Sequence, residues 1–313
     1  MQIYEKMKKV FLILDSSSIL YRAFHALPSL TTKLGETTNA VYGFCLSLFR
    51  IIKDFQPEFI CACFDFPAKT FRHKEFKEYK AQRPPTPDEL KSQIPKVKKI
   101  LNSLEIPCFE KEGFEADDII CSIKEKIKNE KVLEILIVSG DQDLLQLVDE
   151  KTKVLVIQKG IKNSILYDKE KVKEKFEGLK PYQIPDFKAL VGDSSDNIPG
   201  IFGIGKKSAI KILLKFKTLE NLYQQIELES NHLKDLGLKL KEILKNEKEK
   251  ALFFKKMVQL KKEVPIDFDL EKCKFGNYDK EKVIEILKEF EFLSLLNKLP
   301  KIEKTVQKNL SLW

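Results

Sequence analysis

Residues 10–15 read Val-Phe-Leu-Ile-Leu-Asp, five apolar side chains ending on a carboxylate. A run that short suits a buried strand and falls well below a signal core or a membrane span. The same design recurs at Phe59 to Phe64 before Asp65, and at Leu133 to Val138 before Ser139, Gly140 and Asp141. Long segments with helical periodicity separate these runs, which predicts an α/β domain: a mostly parallel central sheet flanked by helices. Its acids Asp15, Asp65 and Asp141 then stand at strand C-termini, where open α/β sheets place their sites. Ala81 to Pro87 holds three prolines and must be irregular, while Pro87-Asp88 opens a helix expected to run to about Leu104. After about Pro185 the strand signals stop and the pattern turns helical through Leu299. The expected organisation is an α/β core over 1–185 with a basic helical arm at about 66–100, a helical domain over 186–300, and a tail over 301–313.

Composition sets the class of partner. The 313 residues are 43% hydrophobic, ample for a folded core, and carry a net charge of +9 with pI near 9.0. An anionic partner is the expectation, and composition alone does not separate nucleic acid from a membrane surface or from a merely lysine-rich chain; nowhere do 18 apolar residues run together. The six cysteines show no Cys-x-x-Cys pair and no zinc spacing, which suits buried, reduced thiols in the cytoplasm. The high lysine and glutamate content fits a thermophile or an AT-rich genome equally.

Nine carboxylates fall in five short clusters: Asp15; Asp65; Glu115, Asp117 and Asp118; Asp141 and Asp143; Asp193 and Asp196. Any one cluster reads equally as helix N-terminal charge or as a turn. Strand ends, a helix start after Gly113 and a glycine-flanked loop can converge, however, and gathered carboxylates repel by about 1 kcal/mol per pair in water and several times that where partly buried. Such a site requires cations. All-oxygen ligands suit Mg²⁺ or Mn²⁺ and not zinc. Two or more ions there would serve phosphodiester hydrolysis.

Two basic elements accompany the acids. From Lys69 to Arg83 six cations (Lys69, Arg72, Lys74, Lys77, Lys80, Arg83) face only Glu75 and Glu78, with Phe71, Phe76 and Tyr79 interleaved. The three-residue spacing of Lys74, Lys77, Lys80 and Arg83 predicts a helical face able to grip phosphates, with aromatics for unpaired bases. A solvated lysine-rich helix with inward aromatics fits the pattern as well. Further on, Gly200, Gly203 and Gly205 lead into Lys206, Lys207 and Ser208, and Lys211, Lys215 and Lys217 follow with no acid before Glu220. Glycines let backbone N–H groups approach phosphate, and the next helix offers its positive N-terminus.

Taken together, Leu12-Ile-Leu-Asp15, Tyr21-Arg22-Ala-Phe24-His25, Phe64-Asp65, Thr70-Phe71-Arg72, Tyr79-Lys80-Ala-Gln-Arg83-Pro-Pro, Gly113-Phe-Glu115-Ala-Asp117-Asp118, Ser139-Gly140-Asp141-Gln-Asp143 and Gly192-Asp193-Ser-Ser-Asp196-Asn resemble the 5′ nuclease (5′-3′ exonuclease) domain of bacterial DNA polymerase I, in the flap endonuclease superfamily. The resemblance runs from about Val10 to about Leu299. It implies a PIN-like core and structure-specific cleavage of branched, nicked or 5′-flapped DNA and of RNA-DNA primer junctions by a two-metal mechanism. By that resemblance Asp15, Asp65, Glu115 and Asp117 surround one metal and Asp141, Asp143 and Asp196 the other, with Asp118 and Asp193 in support. Lys80, Arg83, Arg72 and Arg22 become the catalytic cations, and Lys69, Lys74, Lys77 and Tyr79 bind DNA along an arch. The segment Gly200 to Ser208 becomes a helix-hairpin-helix with K⁺ on its carbonyls. A monomer in the bacterial cytoplasm is implied. A non-catalytic branched-DNA binder should have lost acids, a small metal-dependent ribonuclease would lack the second domain, and an aspartyl-phosphate phosphatase needs Asp-x-Asp where Asp15-Ser-Ser stands.

Overall fold

Burial explains the first strand: in β1 (Lys9–Asp15) every residue from Phe11 onward is buried, so both faces of the sheet must be covered. The structure, a computed structural model, describes residues 9–130, 133–158, 160–234 and 236–300. The expected tail lies outside the described residues. Beside β1 lie β2 (Phe59–Cys63), β3 (Cys108–Phe109), β4 (Leu133–Ser139), β5 (Thr152–Gln158) and β6 (Gly160–Tyr167), in the order β3-β2-β1-β4-β5-β6. All pairings are parallel except the last, β5 with β6. The chain winds one way from β1 to β3 and the other way from β4, so the crevice beyond the ends of β1 and β4 is the switch point of the sheet.

One face is covered by α1 (Ser16–Ala26) and α2 (Asn39–Phe55). The basic arm supplies α3 (Phe71–Glu75); α4 (Asp88–Lys91) and α5 (Ile94–Ser103) follow it. The helix expected from Pro87 to Leu104 is thus split. Gln93 sits at the break, fully buried, with its amide oxygen accepting from Ala40 N at 2.8 Å and Val41 N at 3.2 Å. The opposite face is covered by α6 (Ala116–Lys126), and α7 (Lys169–Lys175) follows the sheet. The helical half holds α8 (Ile184–Val191), α9 (Lys206–Phe216), α10 (Leu219–Glu227), α11 (Leu238–Asn246) and α12 (Lys248–Val258), packed around Leu190, Leu213, Leu222 and Phe254.

The chain then comes back to the sheet. Val264 N donates to Ser122 Oγ at 3.1 Å, Phe275 N donates to Glu58 O at 2.8 Å, and α13 (Lys280–Glu289) buries Val283 and Leu287 in the core of α2 and α5. The helical domain expected over 186–300 therefore ends near residue 259, because the apolar residues beyond it belong to the sheet's two layers. No helix among the described residues is long and apolar enough to cross a membrane. All six cysteines are free, five of them buried.

Candidate metal centre

Each acid arrives from the end of an element. Asp15 closes β1 and caps α1: Oδ1 accepts from Ser18 N at 3.1 Å, and Oδ2 accepts from the Ser139 hydroxyl at the end of β4. Asp65, two residues past β2, accepts from Ala116 N at 2.8 Å, which brings it to the head of α6. Glu115 is the N-cap of α6 and Asp117 lies in its first turn. Asp143 N donates to Asp141 Oδ1 at 2.9 Å just beyond β4. Asp193 and Asp196 sit in a tight loop after α8, closed by Asp193 N to Ile198 O at 2.7 Å and Ile198 N to Asp193 O at 2.9 Å. A cleft of about 2250 Å³ opens at the switch point over Asp15, Asp65, Glu115, Asp117, Asp141, Asp143 and Asp193, with Arg22, Lys80, Arg83 and Lys188 also on its walls.

The loop needs glycine twice. A Cβ on Gly200 would stand 2.4 Å from Gly192 N and 2.5 Å from Val191 C, so the hairpin crosses the end of α8 backbone to backbone. Both glycines have positive φ, +92° at Gly192 and +71° at Gly200.

Crowding shows in the acidities. Burial first, then the charge of Asp65, pushes Asp15 up to about 7. Asp143 is also pushed up to about 7, by burial first and by Asp141, although Lys188 pulls it back. Asp117 is driven well above the carboxylate range by burial and then by Asp15, Asp141, Asp143 and Asp65. Asp65, an exposed residue of the cleft lining, moves up by desolvation first and then by the charge of Glu115, against the hydrogen bond from Ala116 N. Glu115 and Asp193 move down because, against burial, Lys80 and Arg72 hold the first and Lys188 the second. Asp143, Asp193 and Asp196 offer oxygens all within 4.8 Å of one another. A hard, all-oxygen donor set whose members raise one another's pKa fits divalent ions of the Mg²⁺ or Mn²⁺ kind, and no histidine or cysteine belongs to it.

The arm is built differently from its sequence pattern. Helix covers only Phe71–Glu75; from Phe76 to Arg83 the chain makes successive turns, Tyr79 N to Phe76 O at 3.1 Å, Ala81 N to Glu78 O at 3.1 Å and Arg83 N to Lys80 O at 3.0 Å. Lys80 has φ +53°, which breaks the helical drift expected of Lys74, Lys77, Lys80 and Arg83. Lys80 Nζ instead donates to Glu115 Oε1 at 2.8 Å, and Arg83 reaches Asp196 Oδ1 at 2.8 Å. Lys69, Lys74 and Lys77 are exposed.

Arg72 and Tyr79 are placed away from the roles expected of them, while Asp118 takes the supporting place expected, accepting from Glu115 N at 3.3 Å. Arg72, 1% exposed, donates to Asp118 Oδ2 at 2.6 Å, Asp118 Oδ1 at 2.8 Å, Glu115 Oε2 at 3.2 Å, Met257 O at 2.7 Å and Gln259 O at 3.2 Å. With its donors satisfied inside the protein it has none for a scissile phosphate. Asp118, fully buried beneath that guanidinium, holds Arg72 and Lys261 N and does not face the cleft. Tyr79 is buried, and its hydroxyl meets Glu115 Oε2 and Asp196 Oδ2, each at 3.0 Å, so its ring is not free to stack on a base. Arg22 stays on the cleft wall, bonded to the carbonyls of Gly140 and Gln158 (3.3 Å), its guanidinium lying directly over Gly140. Sequence reasoning missed Lys188 altogether. Its one signal is a single cation in the mostly apolar helix 184–191, which also holds Asp186, five positions before Asp193.

At the hairpin, Gly203 has φ +86°, Gly205 caps α9, and Lys206 pairs with Glu177 at 2.7 Å; Lys207 is exposed and Ser208 half-buried on the first turn.

The family description "5′-3′ exonuclease, N-terminal resolvase-like domain" matches residues 10–177, and "5′-3′ exonuclease, C-terminal SAM fold" matches 179–281. The chain belongs to the 5′-3′ exonuclease family. It is 43% identical over 294 residues to the 5′-3′ exonuclease of Aquifex aeolicus, covering 94% of this chain and 96% of that one. To DNA polymerase I of Bacillus caldotenax it is 42% identical over 293 residues, but spans only 32% of that protein's length. In fold this exonuclease-family chain is similar to the bacteriophage T5 flap endonuclease solved with DNA and metal ions, with TM-score 0.66 and 18% identity, covering 93% and 99% of the two chains. The 5′-3′ exonucleases among its relatives are nucleases.

Proposed function

We propose that this chain cuts DNA as a structure-specific 5′ nuclease, acting on 5′-flapped, nicked or branched duplexes and RNA-DNA primer junctions in replication and repair, as a monomer in the bacterial cytoplasm. The observation that carries it is the meeting of Asp15, Asp65, Glu115, Asp117, Asp141, Asp143, Asp193 and Asp196 at the sheet's switch point beneath a cationic rim. Asp15, Asp65, Glu115 and Asp117 would hold one Mg²⁺ or Mn²⁺, and Asp141, Asp143, Asp193 and Asp196 another. Bound there, the ions supply an activated water and neutralise the leaving oxygen of a phosphodiester.

The chain's own residues do the positioning. Lys80 and Arg83 stand on the cleft wall beside Glu115 and Asp196 and are the cations to meet phosphate charge as it builds up. Arg22, held by carbonyls and by no carboxylate among the described residues, adds to that field from the same cleft. The exposed Lys69, Lys74 and Lys77 give a backbone track for the displaced strand. Gly200 to Ser208 holds duplex by shape and not sequence, with K⁺ on the hairpin carbonyls.

A labelled 5′-flap duplex with Mg²⁺ tests this directly. Wild type cleaves, and Asp141→Ala, whose carboxylate only accepts from Asp143 N, stays folded but loses on the order of 10²-fold or more in rate. Absence of cleavage with every divalent ion sinks the enzyme assignment, and undiminished cleavage by Asp141→Ala sinks the site.

A further inference from the structure

Lys188 occupies a place that calls for a reason. It projects from α8 among Ile184, Ala189 and Leu190, all buried, and its side chain is only 16% exposed. A buried ammonium is costly unless paired. Its Nζ donates to Asp143 Oδ1 and, at 2.6 Å, to Asp193 Oδ2. Those carboxylates and Asp196 are the group whose oxygens lie within 4.8 Å of one another. Opposed oxygens around Mg²⁺ are about 4 Å apart, each at about 2.1 Å from the ion, so the same group can close on a divalent ion. With Arg83 on Asp196 Oδ1 at 2.8 Å, two positive charges against three carboxylates still leave the group net negative. Both cations cannot sit at the centre together: held by the same oxygens, they would be roughly 3–4 Å apart and repel.

We infer that Lys188 is the resident counter-cation of the Asp143–Asp193–Asp196 group and competes with the divalent ion that group would hold. The inference rests on the reading of these acids as a metal centre. Glu115, Asp65 and Asp15 are different: Lys80 bonds only Glu115 among them, so Asp15 and Asp65 stay open to an ion without a lysine being displaced. The two halves of the cleft therefore fill unequally. The Asp143 half takes its ion fully only when Lys188 finds another anion, and the phosphate of a bound strand is such an anion. Ion entry and strand entry then support each other.

Mn²⁺ binding to the full chain without DNA tests this, read as free Mn²⁺ by electron paramagnetic resonance at pH 8.5, where proton competition is small. Wild type should show a tighter and a weaker class of site. Lys188→Met, which keeps the stem and removes the charge, should tighten the weaker class at least about tenfold, and Lys188→Arg should stay near wild type. In EDTA the Met variant should melt lower than wild type and regain more on adding Mn²⁺. An unchanged or looser weaker class in folded Lys188→Met overturns the inference, as does equal tightening by Lys188→Arg. If wild type binds no Mn²⁺ at all, the metal-centre reading falls as well. A second measurement needs no variant: acetylation of Lys188 in wild type, followed by mass spectrometry, should rise when Mn²⁺ saturates the protein. Lower or unchanged labelling refutes displacement.

Discussion

Replacing Arg72 with Met separates two roles that its sequence position leaves open. As a phosphate contact, its loss would slow cleavage and leave stability alone. In the structure it is a buried strut, holding Asp118 with both terminal nitrogens at 2.6 and 2.8 Å and the carbonyls of Met257 and Gln259 at 2.7 and 3.2 Å. Asp118 is fully buried, so Arg72→Met leaves a carboxylate without its counter-charge. Removing one partner of a buried pair costs about 3–5 kcal/mol. The backbone donors that remain, Lys261 N at 2.9 Å and Glu115 N at 3.3 Å, hold the loss toward the lower end, while the two orphaned carbonyls add on the order of 1 kcal/mol each. The expected destabilisation is about 5 kcal/mol, measured by urea unfolding in EDTA so that metal binding does not contribute. The double variant Arg72→Met with Asp118→Leu should recover at least half of it, since removing both charges is far cheaper than removing one. A single-variant loss below about 1 kcal/mol, or a double variant no better than the single, refutes the strut.

Asp15 and Asp143, held up to about 7 chiefly by burial, bind protons in the folded state between about pH 4 and 7 that the unfolded chain has released. Stability in EDTA should therefore fall by roughly 2–4 kcal/mol as pH rises from 5 to 8, and saturating Mg²⁺ should reverse most of the loss. Glu115 and Asp193, held low, act only as pH falls below the ordinary carboxylate range, so melting curves that rise with pH from 5 to 8 in EDTA would count against the crowding. Gly200→Ala should cost about 2–4 kcal/mol from strain at φ +71° and the 2.4 Å contact with Gly192 N, whereas Gly205→Ala, with nothing within 4 Å, should be close to neutral. Equal unfolding midpoints for the two alanine variants would remove the close approach as the reason for glycine.

The sheet was legible where burial writes itself as an uninterrupted apolar run, as in Val10 to Leu14, Phe59 to Phe64 and Leu133 to Val138, and the acids Asp15, Asp65 and Asp141 were legible because they stand just past those runs. Strand β3 pairs only two residues, and β6 is an antiparallel edge with polar Lys162, Asn163 and Ser164, so neither announces itself. The arm misled for a physical reason. Cations and aromatics interleave alike in a phosphate-gripping helix and in a buried network, and only tertiary position decides. Arg72 and Tyr79 went to the network because Asp118, Glu115 and Asp196, far away in sequence, supply their partners. Lys188 escaped notice because one lysine in an apolar helix gives no pattern at all.

Those long-range partners make the arm and the acid loop one structure. Asn197 Nδ2 donates to Glu78 O at 2.7 Å, Lys80 N to Asp196 O at 3.1 Å, Gln82 to Ser194 O, and Arg83 Nε to Ser195 O at 3.2 Å. Residues 78–83 therefore cannot move away without uncovering Asp196, and Asp196 cannot shift without losing Tyr79 and Arg83. The same loop is pinned to α8 by the Gly192–Gly200 crossing, and α8 carries Lys188. If, as proposed, a strand lies along the arm and a duplex is held at the hairpin, the two would pull on opposite ends of a single short segment, 192–200, that contains two of the carboxylates. On the proposed function, placing the ligands between two such grips would tie assembly of the centre to a junction, which both grips could engage at once, and not to duplex or single strand alone.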